Sequence, residues 1–262
     1  MITLDIKRVD RHNHNTPVLF DREIDEFAHA VLADYKLALL REPGTVRYEH
    51  FLESYLGVTL LYQDIYSEDP KRPIFGATAF RDSKLRVFDK ENHRIKRIAV
   101  EANTVVLDNF IMQPGKEGLA AFTGFHEGGH ILLHSGVYIN NTDDTLEPLV
   151  CCRRENVEVF GRKRPKRTPK EWREHQADYF AAAIAMPNAT FGPFVRSVLR
   201  EHGVWKRSIT LGNDSDLDIL AEEILPLCIS EVYGVSKQAA LIKLKKSGIV
   251  VEERDYGRNA KQ

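Results

Sequence analysis

Phe122-Thr123-Gly124-Phe125-His126-Glu127-Gly128-Gly129-His130-Ile131-Leu132-Leu133-His134 is the stretch on which the reading of this chain turns. It contains an H-E-x-x-H pattern. On a helix, residues four apart project from one face, so His126 and His130 would present two imidazoles together, with the Glu127 carboxylate beside them. Two imidazoles are half of a zinc site. Catalytic zinc usually takes three protein ligands and leaves the fourth position for water, so a third ligand must come from elsewhere. Glu127 cannot easily ligate beside its neighbour His126, but it can reach that water, which makes it the candidate general base.

The third ligand is read from a second acidic pattern, Glu174-His175-Gln176-Ala177-Asp178. Glu174 and Asp178 stand at i and i+4 and share a helix face. Glu174 is the expected ligand, and Asp178 is expected to accept the N–H of a ligating histidine, fixing its tautomer. His175 competes in principle, but its side chain would point about 100° away from that of Glu174. His134 is a candidate fourth ligand or transition-state donor, although a histidine placed there is more often simply packed. Tyr179 and Tyr138 are both candidate oxyanion donors, and the sequence does not choose between them.

Helical and strand periods organise the rest. Residues 1–20 read as a partly extended lead-in. From Asp21, apolar residues recur at three- and four-residue steps as far as Leu39, and Pro43-Gly44 ends the run. A short helix is expected from about Val46 to Gly57. Apolar, β-rich runs follow at 58–62, 74–80, 85–88 and 104–107, predicting a small, largely antiparallel sheet. The H-E-x-x-H helix is expected from Leu119 through Leu133, with Gly136 as its C-terminal cap. Gly128 and Gly129 each cost it about 1 kcal/mol relative to Ala, so tertiary packing must hold it.

Residues 137–167 read as a connector carrying a basic run, Arg162-Lys163-Arg164-Pro165-Lys166-Arg167, taken as a solvated loop because no aromatic residues are interleaved for base stacking. Thr168-Pro169-Lys170-Glu171 is a capping box that starts the second acidic helix, whose buried stripe is read as Trp172, Ala177, Phe180, Ala181 and Ile184, ending near Met186-Pro187. Several short helices are expected over 189–250. The division is therefore a lead-in at 1–20, one domain at 21–250 and a polar tail at 251–262. Within the domain, helices and sheet occupy 21–115, zinc helices 116–187 and C-terminal helices 189–250.

Composition limits the function classes. Lys+Arg 37 against Asp+Glu 38 leaves a net charge of −1, so no global field favours nucleic acid or an anionic membrane, and such binding would have to be local. The N-terminus is too polar for a signal peptide, and no apolar run approaches a membrane span, so a cytoplasmic location is expected. Cys151, Cys152 and Cys228 do not make a disulfide framework, and the vicinal pair is read as reduced thiols at a strand or loop edge.

The two motifs together resemble the ImmA/IrrE family of metallopeptidases, within the larger gluzincin group. The first stretch is similar to that family's F-T-x-x-H-E-x-x-H-x-x-x-H helix. Glu174-His175-Gln176-Ala177-Asp178-Tyr179-Phe180-Ala181, followed by Met186-Pro187, is similar to its E-x-x-A-[DN]-x-F-A…M-P segment. The resemblance implies zinc held by His126, His130 and Glu174, Glu127 as the base, and a mainly helical α+β zincin-like fold. It also implies a protein substrate, a transcriptional repressor in several characterised relatives. Two departures stand out: Gly128 replaces a bulky apolar residue, and the connector between His130 and Glu174 is longer than in compact members.

The reading is thus a zinc endopeptidase acting on a cytosolic protein. The alternative is a helix-turn-helix regulator or binding partner with a structural zinc. Its support is 229–241, where a Gly234-Val235-Ser236 turn joins two helices and Ser236 is placed to cap the second. Lys243 falls where a recognition helix would bury an apolar residue, so this segment is read as packing inside the peptidase domain, and direct nucleic-acid binding is not expected. Some relatives carry an added helix-turn-helix domain; none is expected at this N-terminus. The sequence leaves the oligomeric state open.

Overall fold

A computed structural model describes residues 2–11, 14–139, 149–153 and 168–252. The N-terminal segment makes a small hairpin, β1 (Val9–Asp10) with β2 (Thr16–Pro17), before α1 (Asp21–Lys36). Ile24, Phe27, Ala28, Val31 and Leu32 form the buried stripe of α1, as the period predicts. A 3-10 turn over Leu37–Leu40 and a glycine break follow. The short helix α2 (Tyr48–His50) continues as a π turn through Tyr55 and ends before Gly57, whose φ of 68° suits glycine.

Five strands then build the β portion and are joined by a sixth from further along the chain. They are β3 (Thr59–Gln63), β4 (Ile74–Ala79), β5 (Ser83–Asp89), β6 (Arg94–Val100), β7 (Thr104–Asp108) and β8 (Leu149–Arg153), with β5 and β6 forming a separate antiparallel hairpin. The others form a sheet in the order β3-β7-β4-β8, parallel only between β3 and β7. Every residue of β4 and β7 is buried, because both faces of the sheet are covered. Ala77, Ala79 and Val106 pack with Leu85, Val87 and Val100 of the hairpin, whereas Gly76 and Thr78 meet the helix on the opposite face.

Two expectations are corrected here. The run at 94–100 was not anticipated as a strand: its face is exposed and basic, and it forms because a turn folds it back on β5, with Asn92 N and Nδ2 donating to the Asp89 carboxylate at 3.2 and 3.1 Å. The segment 137–167 is not connector throughout, since Leu149–Arg153, with Cys151 and Cys152 in it, is the strand that borders β4. The basic run 162–167 and the tail 253–262 lie outside the described residues.

Helix α3 (Glu117–Ile139) runs beneath the sheet and is buried on nearly every side, which is the environment of a helix that is apolar all round. It does not stop at Gly136. The expected cap remains helical because Val137 and Tyr138 still have a core to enter: Tyr138 stacks on Phe80 at 4.5 Å between centroids, with Val150 of β8 in the same cluster. The paired glycines have partners. A Cβ on Gly129 would stand 3.2 Å from Ala177 Cα, and one on Gly128 would stand 3.3 Å from Leu52 Cδ2 and Phe51 Cε1. These residues occupy the space that a bulky side chain at 128 would otherwise take.

Helix α4 (Pro169–Ala185) lies against α3 and starts with the expected capping box, Glu171 N donating to Thr168 Oγ1 and Thr168 N to Glu171 Oε2. Phe180 meets Phe27 of α1 at 6.1 Å. Trp172 is only half-buried, so the expected stripe is corrected at its first member. Arg173 and Gln176 are buried instead, on the side where the N-terminal hairpin docks: Arg173 Nη1 donates to Thr16 Oγ1 at 2.9 Å and Gln176 Nε2 to the Pro17 carbonyl at 2.8 Å.

The remaining chain comprises α5 (Asn188–Glu201), β9 (Ile209–Leu211), α6 (Ser215–Ile219), α7 (Leu225–Tyr233), α8 (Lys237–Lys246) and β10 (Val250–Glu252). Strands β9 and β10 pair in parallel, a contact across some forty residues that no local pattern announced. Gly234 adopts φ 68°, and Ser236 Oγ caps α8 by accepting from Ala239 N at 3.1 Å. The fold is therefore α+β, mainly helical, with a small and largely antiparallel sheet. Among the described residues no helix is long and apolar enough to cross a membrane.

Candidate metal centre

His126 and His130 sit one turn apart on α3, and Glu174 comes from the adjoining turn of α4. One donor atom from each lies within 4.8 Å of the others. His126 Nε2 is 3.0 Å from His130 Nε2 and 3.4 Å from Glu174 Oε2, and His130 Nε2 is 3.6 Å from Glu174 Oε1. The two histidines are fully buried and Glu174 is 5% exposed.

The hydrogen bonds behind the rings fix which nitrogens carry protons. His126 Nδ1 meets Asp178 Oδ1 at 2.8 Å, and the carboxylate accepts, so the Nδ1 is protonated and the Nε2 lone pair points inward. On the other side a directional chain begins at a backbone carbonyl. Pro17 O can only accept, so Gln176 donates through Nε2 and accepts through Oε1 from His134 Nε2 at 2.8 Å. His134 Nδ1 then accepts from His130 Nδ1 at 3.0 Å. Burial lowers both His130 and His134 below the ordinary histidine range, consistent with neutral rings throughout. His130 Nε2 is thus also a bare lone pair.

Two lone pairs 3.0 Å apart beside a carboxylate repel one another unless a cation lies between them. Ligand atoms about 2.0–2.1 Å from a tetrahedral metal are about 3.3 Å from each other, close to the spacings found. The residues fit a metal ion.

Glu127 is held by the strand above it. Thr78 Oγ1 donates to Glu127 Oε2 at 2.5 Å, and Gly76 passes so close that a Cβ there would stand 2.6 Å from Oε1. Oε1 itself is buried and makes no hydrogen bond among the described residues. Burial pushes the carboxyl up to about 7, with His126 and Thr78 acting against the rise. A carboxylate in that range suits proton transfer near neutrality.

The secondary candidates fall elsewhere. Both ring nitrogens of His134 are engaged, one with His130 and one with Gln176, which leaves neither for a metal or a substrate oxygen, so the expectation of a fourth ligand or transition-state donor gives way to a packed, bridging histidine. Tyr179 donates to Asp25 Oδ2 at 2.8 Å on α1, which turns its hydroxyl away from the ligand cluster. Tyr138 accepts from Arg173 Nε at 2.9 Å. His175 is directed to Asp21 Oδ1 at 3.2 Å and not to the cluster. Sequence reasoning missed Gly76, Thr78 and Gln176. Thr78 meets Glu127 across 49 residues and carries no local signal, whereas Gln176 lay inside the quoted motif as a polar residue on a helix with a buried face.

Residues 115–245, half of the 262-residue chain, match the peptidase family described as the IrrE N-terminal-like domain. The chain belongs to that family. No curated protein matches it. The IrrE-like region runs from just before α3 to the last turn of α8 and so contains both the metal cluster and the helix-turn-helix-shaped pair α7–α8. That pair packs on the cluster's own helix: a Cβ on Gly118 of α3 would stand 2.7 Å from the Val235 backbone carbon. Membership in this peptidase family and the buried His-His-Glu set together make the protein a metallopeptidase-type hydrolase with a protein or peptide substrate.

Proposed function

We propose that the chain is a zinc-dependent endopeptidase that cuts a specific cytosolic protein, with a transcriptional repressor as the substrate the family resemblance favours. The observation that carries this reading is the pair of inward Nε2 lone pairs beside Glu174, with the adjoining residue Glu127 buried and its Oε1 making no hydrogen bond among the described residues. His126, His130 and Glu174 are the ligands in this reading. Zinc bound there supplies Lewis acidity, polarising a peptide carbonyl and acidifying a water. An N, N, O donor set leaves that acidity largely intact, as thiolates would not.

The chain's own groups supply the rest. Glu127 takes a proton from the attacking water at Oε1 and returns it to the leaving nitrogen of the cleaved bond. Thr78 holds the other carboxylate oxygen and so aims the first. Asp178 and the His134–Gln176–Pro17 chain keep His126 and His130 in the tautomers that present Nε2.

The test is to incubate the full-length protein with a cytosolic extract and identify newly formed N-termini by mass spectrometry. A small set of new termini, abolished by chelator and reduced at least about 100-fold with Glu127→Gln, is expected for a general base. No new termini, or an equal set with Glu127→Gln, would refute the reading.

A further inference from the structure

A groove of about 890 Å³ opens between the first turns of α3, the last turns of α4 and the length of α8. Its floor continues the helix faces that carry the metal cluster. Phe122 lies one turn before His126 on α3, while Ala182 and Met186 lie one and two turns after Asp178 on α4. Phe122 and Ala182 therefore lie four positions, about 6 Å, along each helix from the His126–Asp178 pair. Its size lies within the range of pockets that enclose a small ligand or a few side chains.

Its charge is unlike that of the chain as a whole. Lys116, Lys237, Lys243 and Lys246 line it against Asp21 and Glu117, a surplus of two positive charges in a protein whose net charge is −1. The carboxylates are also engaged locally: Glu117 Oε1 accepts from Gly115 N at 3.0 Å and Asp21 from His175 at 3.2 Å. Lys243 Nζ, by contrast, meets a neutral amide oxygen, Asn188 Oδ1, at 2.7 Å, and Lys116 Nζ meets Gln113 Oε1 at 2.5 Å. Burial lowers Lys243 to about 8, with only Asp25 opposing the fall, so its ammonium is short of compensating negative charge.

Resting on the peptidase reading above, we propose that this groove binds an acidic, apolar-flanked segment of the substrate polypeptide. Carboxylates of the segment meet Lys116 and Lys243, and its apolar side chains settle on the partly exposed Leu119 and Ile242. Such a segment leads directly to the metal cluster because the groove floor and the ligands share two helix faces. Nucleic acid, the other polyanion, is the poorer occupant. Phe110 is already engaged and is a poor platform for a base, stacking on Phe75 at 6.2 Å and carrying Lys116 Nζ 3.3 Å from its centroid.

The experiment uses full-length, zinc-loaded Glu127→Gln, which keeps peptides intact, and fluorescence anisotropy with two labelled nonapeptide pools of randomised flanks. One pool carries a central Leu-Asp-Glu-Phe and the other Leu-Lys-Lys-Phe. The acidic pool should bind at least about 10-fold more tightly, the equivalent of one charge-assisted contact. Adding Lys116→Glu and Lys243→Glu should remove that preference while melting temperature and zinc content stay unchanged. Equal binding of the pools, an unaltered preference in the lysine variant, or displacement of the acidic pool by a 20-mer oligonucleotide at lower concentration would overturn the proposal. Cleavage of both pools by the wild-type protein separates the two readings: cleavage without acidic preference sinks the groove assignment alone, and acidic binding without any cleavage supports the groove and counts against the peptidase.

Discussion

At the residue scale, Gly76 is a position with no chemistry of its own on which the placing of Glu127 depends. A methyl group there would stand 2.6 Å from Glu127 Oε1 and 2.8 Å from Thr123 Cγ2, so Gly76→Ala must move the Glu127 carboxylate, the proposed base. We expect a stability loss of about 1–3 kcal/mol, typical of overpacking, with activity reduced more than 10-fold at full metal content. Denaturant melts and metal analysis would check it, and near-normal activity would contradict the placing of Glu127. A second expectation concerns pH. Burial raises Glu127 from 4.5 to about 7, so in metal-free protein its contribution to stability is complete below about 4.5 and is lost as pH rises through about 7. His130 and His134, lowered by burial, contribute with the opposite sign, so the informative quantity is the melting-temperature difference between wild type and Glu127→Gln. That difference should fall between pH 5 and pH 8 in stripped protein; a flat difference would mean Glu127 is not buried as described. His126, His130 and Glu174 were legible because helical spacing is written into sequence. Gly76 and Thr78 were not, because their relation to Glu127 exists only once a strand lies over the helix.

At the element scale, the α3–α4 pair is held from behind by two hydrogen-bonded supports of unequal length. Asp178 contacts the His126 ring directly, whereas Gln176 acts on His130 through His134 and is itself anchored on β2. Asp178→Asn should weaken zinc binding by roughly 10- to 100-fold, and Gln176→Leu by less, measured by competition with a chromophoric chelator. The reverse order would contradict the hydrogen-bond directions assigned above. The elements that sequence disclosed were those with a local signature: the apolar period of α1, the capping box of α4 and the Gly234–Ser236 turn. The overlooked strands β6, β8, β9 and β10 are polar, short or paired with distant chain, so their reason for being strands is supplied by a partner and not by their own residues. Gly136 misled for the same reason, since the cap it suggests is outweighed by burial of Val137 and Tyr138.

At the scale of the whole molecule, the C-terminal helices share a core with α3 and α4. Leu225, Ile229, Tyr233, Val235, Ala240 and Leu244 belong to the same buried cluster as Phe125, Phe180 and Ile184, and Tyr233 donates to Thr190 at 3.1 Å. Truncation before Asp216 would expose that surface, and we expect an aggregating, inactive product by size-exclusion chromatography; a soluble, active truncation would show the segment to be a separate module. Metal should also stabilise the whole chain, because ligands from α3 and α4 are brought together only in the folded state. The most direct measurement is the zinc content of purified full-length protein and of two single variants, Glu174→Ala and His175→Ala, by elemental analysis. One zinc per chain in the wild type and in His175→Ala, with loss in Glu174→Ala, is the expected result; zinc retained in Glu174→Ala, or lost in His175→Ala, would contradict it.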